Sequence, residues 1–367
     1  MAAPKKASTT QISFASNTAN QIDFTDWIPI RLFEMFSGYG GASFALKLAN
    51  IPHECVGYSE IDKDAIFCYK NNFPGVPNFG DCTQIETDNL PDFDLLTAGF
   101  PCQPFSEAGK HGGTNDTRGT LFYDIIRIAE AKKPKFLILE NVKGLTFENH
   151  RKTLQTILDE LDRIGYDVIY KVLNSRDYGT PQSRERVVFM CARKELKYKL
   201  EFPQKQPLNR FLKDLTFKNY YNEKLDFEKL WKPGFVRDSF PNKDNFADPD
   251  NEIISVAVRN KNRAKHQHTG LPYGSFPVEH HLRFNRDYGV SFAVKSAKHE
   301  FMICDLNLQN VRYLTPDECF RLMGFFNDEI DLSGLSETAK MKLAGNGWDV
   351  NLFRQVLTSL LKSCVRQ

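Results

Sequence analysis

Cys102 stands between Pro101 and Gln103 in the stretch Gly99-Phe100-Pro101-Cys102-Gln103-Pro104-Phe105-Ser106. Proline lacks the backbone N–H that a sheet ladder needs, so Pro101 ends the short run Asp94–Ala98 and turns the chain outward. The cysteine then falls at the C-terminal edge of a strand, where open α/β sheets bind ligands, and its thiol is placed as a nucleophile. A carboxylate holds the same kind of position in Glu140-Asn141-Val142, directly after the apolar run Phe136–Leu139. Desolvation there would raise its pKa and let it donate a proton. In Gln182-Ser183-Arg184-Glu185-Arg186 the two-residue period of extended chain puts Gln182, Arg184 and Arg186 on one side. Two guanidiniums in a row suit a phosphate or a carbonyl oxygen, and a salt-bridged strand has the same spelling.

A second constellation suits a nucleoside. Phe36-Ser37-Gly38-Tyr39-Gly40-Gly41 joins a strand-like run to a helix-like one, and Gly38 and Gly40 let backbone N–H groups approach a ligand at the helix N-terminus. Glu60 ends the next strand about twenty residues on, where nucleoside-binding folds place the carboxylate that takes ribose hydroxyls. The third glycine of the dinucleotide fingerprint is missing, which favours a single-nucleoside ligand. Asp81, after Gly80 at the end of an expected third strand, is positioned to accept from an adenine amino group. As isolated acids both have the ordinary reading of caps or surface charges.

The elements that must position these residues follow from periodicity. Arg31–Phe36 reads as a strand, Ala42–Asn50 as a helix, Glu54–Glu60 as a strand and Lys63–Asn71 as a helix. The alternation continues through Phe93–Gly99, Leu121–Lys132, Phe136–Glu140, Arg151–Ile164, Asp167–Asn174 and Val187–Arg193. Repeated βα units predict an α/β fold with a doubly wound, mostly parallel sheet over residues 28–198. Residues 1–25 read as a mobile polar tail. Residues 200–310 lose the period and read as a second, smaller, irregular domain, and residues 311–367 regain helical spacing and return to the first. Within the second domain, residues 259–300 carry eight Lys/Arg against three acids, interleaved with five histidines. That is either a solvated face or a phosphate-tracking surface in which Arg259, Lys261, Arg263, Lys265 and Arg283 contact nucleic acid.

Composition sets the bounds. A chain of 367 residues, 41% hydrophobic, supports a large domain and a smaller one. Its eight cysteines form no C-x-x-C pair, which indicates a reducing compartment with neither disulfide framework nor metal site. The N-terminus lacks the apolar segment of a signal peptide, and no run is long enough to span a membrane. A cytoplasmic location is expected.

Six motifs in order, Phe36-x-Gly38-x-Gly40-Gly41, Pro101-Cys102-Gln103, Arg118-Gly119-Thr120-Leu121, Glu140-Asn141-Val142, Gln182-x-Arg184-x-Arg186 and Gly345-Asn346-Gly347, closely resemble those of the cytosine-C5 DNA methyltransferases. The resemblance covers residues 31–193 and 312 to about 356. It implies an S-adenosylmethionine-dependent enzyme that flips a cytosine out of duplex DNA. Cys102 would add to C6, Glu140 would hold N4 and protonate N3, and Arg186 would bind O2, with Arg184 beside it supporting the thiolate or a phosphate. Phe36, Glu60, Ile61, Asp81, Cys82, Leu121 and Asn346 are assigned to the cofactor in the same way, and Gln103 and Ser106 to DNA. The segment Pro104–Arg118 matches the family's mobile catalytic loop, and residues 200–310 its target-recognition domain.

Two departures stand out. Trp348 follows Gly345-Asn346-Gly347 where relatives carry a small residue and then valine, and Gly289–Val294 lacks the threonine–leucine pair of many bacterial members. Other readings are a transfer-RNA methyltransferase, whose Cys-Phe-Thr signature finds only Cys319-Phe320-Arg321 here, and an inactive DNA-binding relative, which would be expected to lose Cys102, Glu140 or the arginines. The architecture looks like a monomeric bacterial or phage modification enzyme, with a cognate restriction endonuclease that reads the same sequence without binding it.

Overall fold

The computed structural model describes residues 28–101, 121–216, 236–237, 253–260, 280–284, 291–294, 301–305, 311–327 and 329–365. Cys102, Gln103, Ser106, Lys261, Arg263 and Lys265 lie outside the described residues, as do the N-terminal tail and the Pro104–Arg118 segment. Arg259 and Arg283 are described by their backbone.

Nearly continuous apolar runs build the central sheet because its strands are covered on both faces. In β1 (Ile30–Met35), Ile30 and Leu32 enter one core cluster while Phe33 and Met35 enter the other. The chain continues with α1 (Gly41–Leu48), β2 (His53–Ser59), α2 (Lys63–Asn72), β3 (Leu95–Gly99), α3 (Leu121–Lys132), β4 (Phe136–Val142), α4 (Arg151–Arg163), β5 (Tyr166–Asn174), β6 (Gln182–Ser183) and β7 (Glu185–Arg193). Six of these strands form one sheet in the order β2-β1-β3-β4-β7-β5. β2, β1, β3 and β4 run parallel, and β7 is antiparallel to both its neighbours. The α/β class and mostly parallel sheet are as expected from periodicity.

The third strand expected near Asp81 does not form. Asn78 makes a single bridge to Tyr58, and Asp81 instead caps a short 3-10 turn, Cys82–Gln84, by accepting from the Thr83 N–H at 2.9 Å.

The region read as irregular contains a second sheet. After α5 (Leu212–Leu215) come β8 (Val236–Arg237), β9 (Ile253–Asn260), β10 (His280–Phe284), β11 (Ser291–Phe292), β12 (Phe301–Asp305) and β13 (Val311–Tyr313). Five of them pair in the order β13-β12-β9-β10-β8, while β11 pairs in parallel with β6. The second sheet thus runs through Tyr313, past the boundary expected at 311. The return begins at Arg312, whose guanidinium grips the buried Glu318 carboxylate with bonds of 2.6 and 2.7 Å. That grip ties β13 to α6 (Pro316–Arg321), where Thr315 and Glu318 form a capping box ahead of Pro316.

α7 (Glu337–Asn346) and α8 (Val350–Val365) complete the fold. α8 packs on α1 and buries Leu352, Phe353, Val356, Leu357 and Leu360 against β1, β4 and β7.

Candidate active site

The turn after β1 is shaped by left-handed backbone. Phe36, Gly38 and Gly40 have φ of 53°, 56° and 89°. A Cβ on Gly40 would also come within 2.7 Å of Phe73 Cε2, so only glycine fits there. The turn opens a cleft of about 200 Å³ lined by residues that include Phe36, Ser37, Gly38, Glu60, Asn346 and Trp348. Glu60 closes one end: its carboxylate accepts backbone N–H bonds from Gly38, Ile61 and Asp62, each at 2.9 Å. Gly40 caps α1 from behind the turn, and Ile61 is 70% exposed beside Glu60.

Besides Gly40 and Ile61, which flank lining residues, three residues assigned to the cofactor lie outside the lining of this cleft. Asp81 is exposed and occupied with Thr83. Cys82 is buried in the core, where burial pushes its thiol up to about 12, and Leu121 packs against the same core at the start of α3. Asp81 and Cys82 both stand at the cap turn that replaces the expected third strand.

The cleft also gains residues that motif spacing did not name. Glu34 lines it from β1, fully buried, with its carboxyl raised by desolvation and held by the Ser43 and Tyr69 hydroxyls and the Ala42 N–H. Asp62, the N-cap of α2, pairs across the cleft with Lys342 of α7. Against a desolvation that pushes it up, Lys342 holds the Asp62 carboxyl below the usual range. Lys342 precedes Asn346 by one helical turn and so shares its face, a signal that was available in the sequence.

The second part of the site lies where β3 and β4 end. Glu140 is paired in register with Gly99, which also lines the cleft. Arg186 of β7 reaches Glu140 with Nε 2.9 Å from Oε1, and both side chains are largely buried. Buried Asn141 donates to the Phe100 carbonyl at 3.1 Å and so fixes the strand end that leads through Pro101 to Cys102.

Arg184 behaves differently from Arg186. It is 3% exposed, and its guanidinium donates to the backbone carbonyls of Val294 (3.3 Å), Gly345 (3.2 and 3.3 Å) and Gly347 (2.8 Å). Burial, and after it the neighbouring Arg186, bring it down to about 10. Gln182 joins the same clasp, accepting the Val294 N–H at 3.0 Å and donating to the Leu322 carbonyl. The hydrogen bonds of Arg184 therefore serve the walls of the site. Among the described residues no group of His, Cys, Asp or Glu is placed to hold a metal ion, and no helix is long and apolar enough to cross a membrane.

The family model of the C-5 cytosine-specific DNA methylases matches residues 30–362. The chain belongs to this family. It is thus an S-adenosylmethionine-dependent DNA cytosine-C5 methyltransferase. The Type II methyltransferase M.HaeII of Haemophilus aegyptius is 34% identical over 336 residues, 91% of this chain and 93% of that protein. M.NlaX of Neisseria lactamica is 36% identical over 80% of this chain and 85% of its own length. M.HhaI of Haemophilus parahaemolyticus is 42% identical, but the match spans 54% of this chain and only 61% of that relative. The methyltransferase also shares its fold with Schizosaccharomyces pombe Dnmt2 ("S. pombe" in its crystal structure), at a TM-score of 0.60 and 19% identity over 93% of this chain and 100% of that one.

Glu60→Ala removes the acceptor of three N–H groups at the cleft. The expected result is S-adenosylmethionine affinity lower by about 10-fold or more, the loss of one hydrogen bond to a charged group. Isothermal titration reads this directly, and an unchanged Kd would take Glu60 out of the ribose site.

Proposed function

We propose that this methyltransferase modifies one cytosine within a short DNA sequence, as the modification component of a restriction-modification system in the cytoplasm of a bacterial or phage-infected cell. The observation that carries the reading is the Glu140–Arg186 pair at the sheet edge, next to Gly99, which lines the cleft. The named relatives are Type II methyltransferases, which supports the same setting.

The cleft's chemistry fits S-adenosylmethionine. Glu60 and Asp62 offer carboxylates toward a ligand that carries ribose hydroxyls, an ammonium and a sulfonium. The Ser37 hydroxyl, buried and without a hydrogen-bond partner among the described residues, supplies a further polar group at the turn. When bound, the cofactor supplies an electrophilic methyl group. Phe36 and Asn346 would enclose it, with Glu60 on the ribose.

The chain's own residues prepare the base. Cys102 adds as a thiolate to C6 of an extruded cytosine, whose C5 is otherwise a poor nucleophile. Glu140 holds N4 and gives a proton to N3, so that the C5–C6 π pair displaced by the incoming sulfur is kept as an enamine whose C5 is nucleophilic. Arg186, held against Glu140, binds O2 where negative charge builds up. After C5 has gained its methyl group, N3 returns its proton to Glu140, a base carried by water removes the C5 proton, and the C5–C6 double bond reforms as Cys102 leaves with the C6–S pair. Recognition belongs to the second sheet and the segments between its strands, and the enzyme acts as a monomer on duplex DNA.

The test is incubation with S-adenosylmethionine and an unmethylated plasmid, with 5-methylcytosine mapped at single-base resolution. Methylation within one short motif is expected, and Cys102→Ser, a far weaker nucleophile of nearly the same size, leaves the plasmid unmodified. Wild-type rates in that variant would sink the covalent mechanism. Methylation of transfer RNA but not DNA would favour the RNA reading, against which stands the burial of Cys319 and Phe320, 1% and 2% exposed on α6.

A further inference from the structure

Trp348 occupies the point where the cofactor cleft meets the base site. It lines the cleft and is 8% exposed. Its indole stacks on Phe353 of α8, with ring centroids 3.8 Å apart and planes 16° from parallel, which favours this orientation of the ring. Its carbonyl accepts the Tyr39 hydroxyl, and Tyr39 in turn leaves room only for glycine at 347, where a Cβ would lie 2.0 Å from its Cε1.

The neighbours of the indole are backbone. A Cβ placed on Gly99 would lie 2.8 Å from Trp348 Nε1 and 3.5 Å from Glu140 Oε2. A Cβ on Gly41 would lie 3.0 Å from Trp348 Cβ. The ring edge is therefore pressed against the one strand end that borders both the cleft and Glu140. Phe353 backs one face of the indole, and bare glycines flank its Cβ and its edge.

We propose that Trp348 is a specificity-determining residue that sets the largest group this enzyme can pass from cofactor to base. The inference rests on the reading of Glu140 as the residue that holds the cytosine. In the transfer, the C5 electron pair forms the new carbon–carbon bond while the S–C bond breaks with its pair left on sulfur, and C5–H then gives up its proton. The balance is the same for a methyl, an allyl or a propargyl group. Only the room needed between the cleft and Glu140 differs, and a wall held by its stacking on Phe353 excludes the longer groups.

The test uses the full chain and its Trp348→Val and Trp348→Ala variants, with S-adenosylmethionine and its S-propargyl analogue on unmethylated plasmid. Mass spectrometry of the digested nucleosides gives the rate of each transfer, and isothermal titration with each cofactor alone gives binding. The wild type is expected to strongly prefer methyl transfer. Each variant should raise the propargyl-to-methyl ratio by about 10- to 200-fold, the range over which a pocket discriminates one extra small group, and should improve analogue affinity relative to S-adenosylmethionine. Trp348→Phe, which keeps a ring on Phe353, should stay near the wild-type ratio and controls for folding.

An unchanged ratio in both transfer and binding, in variants with wild-type circular dichroism and Tm, would overturn the proposal. If the wild type binds S-adenosylmethionine but methylates no DNA, the functional reading fails instead, and the binding ratio alone still decides the role of Trp348. A second binding readout is intrinsic fluorescence, since the chain has three tryptophans, Trp27, Trp231 and Trp348. Saturation with S-adenosylmethionine should change the emission of the wild type and not of Trp348→Phe; the same change in both would place the cofactor away from the indole and overturn the proposal.

Discussion

Glu140→Gln abolishes turnover while leaving the cofactor bound: the expected fall in the single-turnover rate is about 100- to 10,000-fold, the usual contribution of a positioned proton donor. Glutamine keeps the shape of the side chain and can still touch N4. It carries no acidic proton for N3, and it removes the charge that holds Arg186 at 2.9 Å. Arg186 then keeps its 2.9 Å bond to the Glu185 carbonyl and loses its carboxylate, so the guanidinium is no longer fixed against the base. Titration with S-adenosylmethionine should show little change, because Glu140 is not among the residues lining the cleft. Near-wild-type turnover in this variant would remove Glu140 from the chemistry. A parallel collapse of cofactor binding would mean that the pair supports the fold more than the reaction.

Arg184→Ala is expected to cost stability as well as activity, which separates it from Arg186. The substitution removes donors from the Val294, Gly345 and Gly347 carbonyls inside a buried site, each bond to a charged group contributing about 1.5–3 kcal/mol. Because these bonds share one guanidinium they do not add in full, and a loss of about 3 kcal/mol or more in urea unfolding is the expected outcome. S-adenosylmethionine should also bind more weakly, since Gly347 and Asn346 line the cleft that Arg184 braces. Arg184→Lys keeps a charge but not the planar fork, and should recover only part of both. Unchanged stability together with a specific loss of DNA affinity or turnover would restore the phosphate or thiolate role and refute the clasp.

The difference between these two arginines shows where sequence reasoning reached its limit. Period-two alternation placed Gln182, Arg184 and Arg186 on one side, but the strand is interrupted: β6 ends at Ser183 and β7 begins at Glu185. Arg184 sits in the break, so its side chain follows tertiary contacts with segments more than a hundred residues away. Glu60 and Glu140 are legible for the opposite reason. Glu60 follows β2 and Glu140 lies two residues before the end of β4, and the C-terminal edge of a parallel sheet gathers such residues without further information, whereas Asn346 is carried by the motif resemblance alone. The short strand expected to end near Asp81 is reduced to one bridge, Tyr58 with Asn78, ahead of the turn that Asp81 caps.

The second sheet hid for a related reason. Ile253–Val258 is rich in β-branched residues, as a strand should be, yet its partners His280–Phe284 and Phe301–Asp305 are distant in sequence and joined by polar stretches. Long-range pairing leaves no local period to count. The antiparallel turn of β7 was equally silent, since an apolar strand buried on both faces spells the same in either direction.

The packing of α8 on α1 has a consequence for how the enzyme is made. The core face shared by Leu32, Ala45, Ile138 and Met190 is closed by Leu352, Phe353, Val356 and Leu360, which are synthesised long after the sheet strands. At about 5–20 residues per second, the sheet formed by residues 30–193 waits on the order of ten seconds or more with that apolar face bare. During synthesis the nascent chain must be shielded by the ribosome or a chaperone. Since α7 and Trp348 also form walls of the cofactor cleft, that wait keeps an unfinished chain from assembling the cleft.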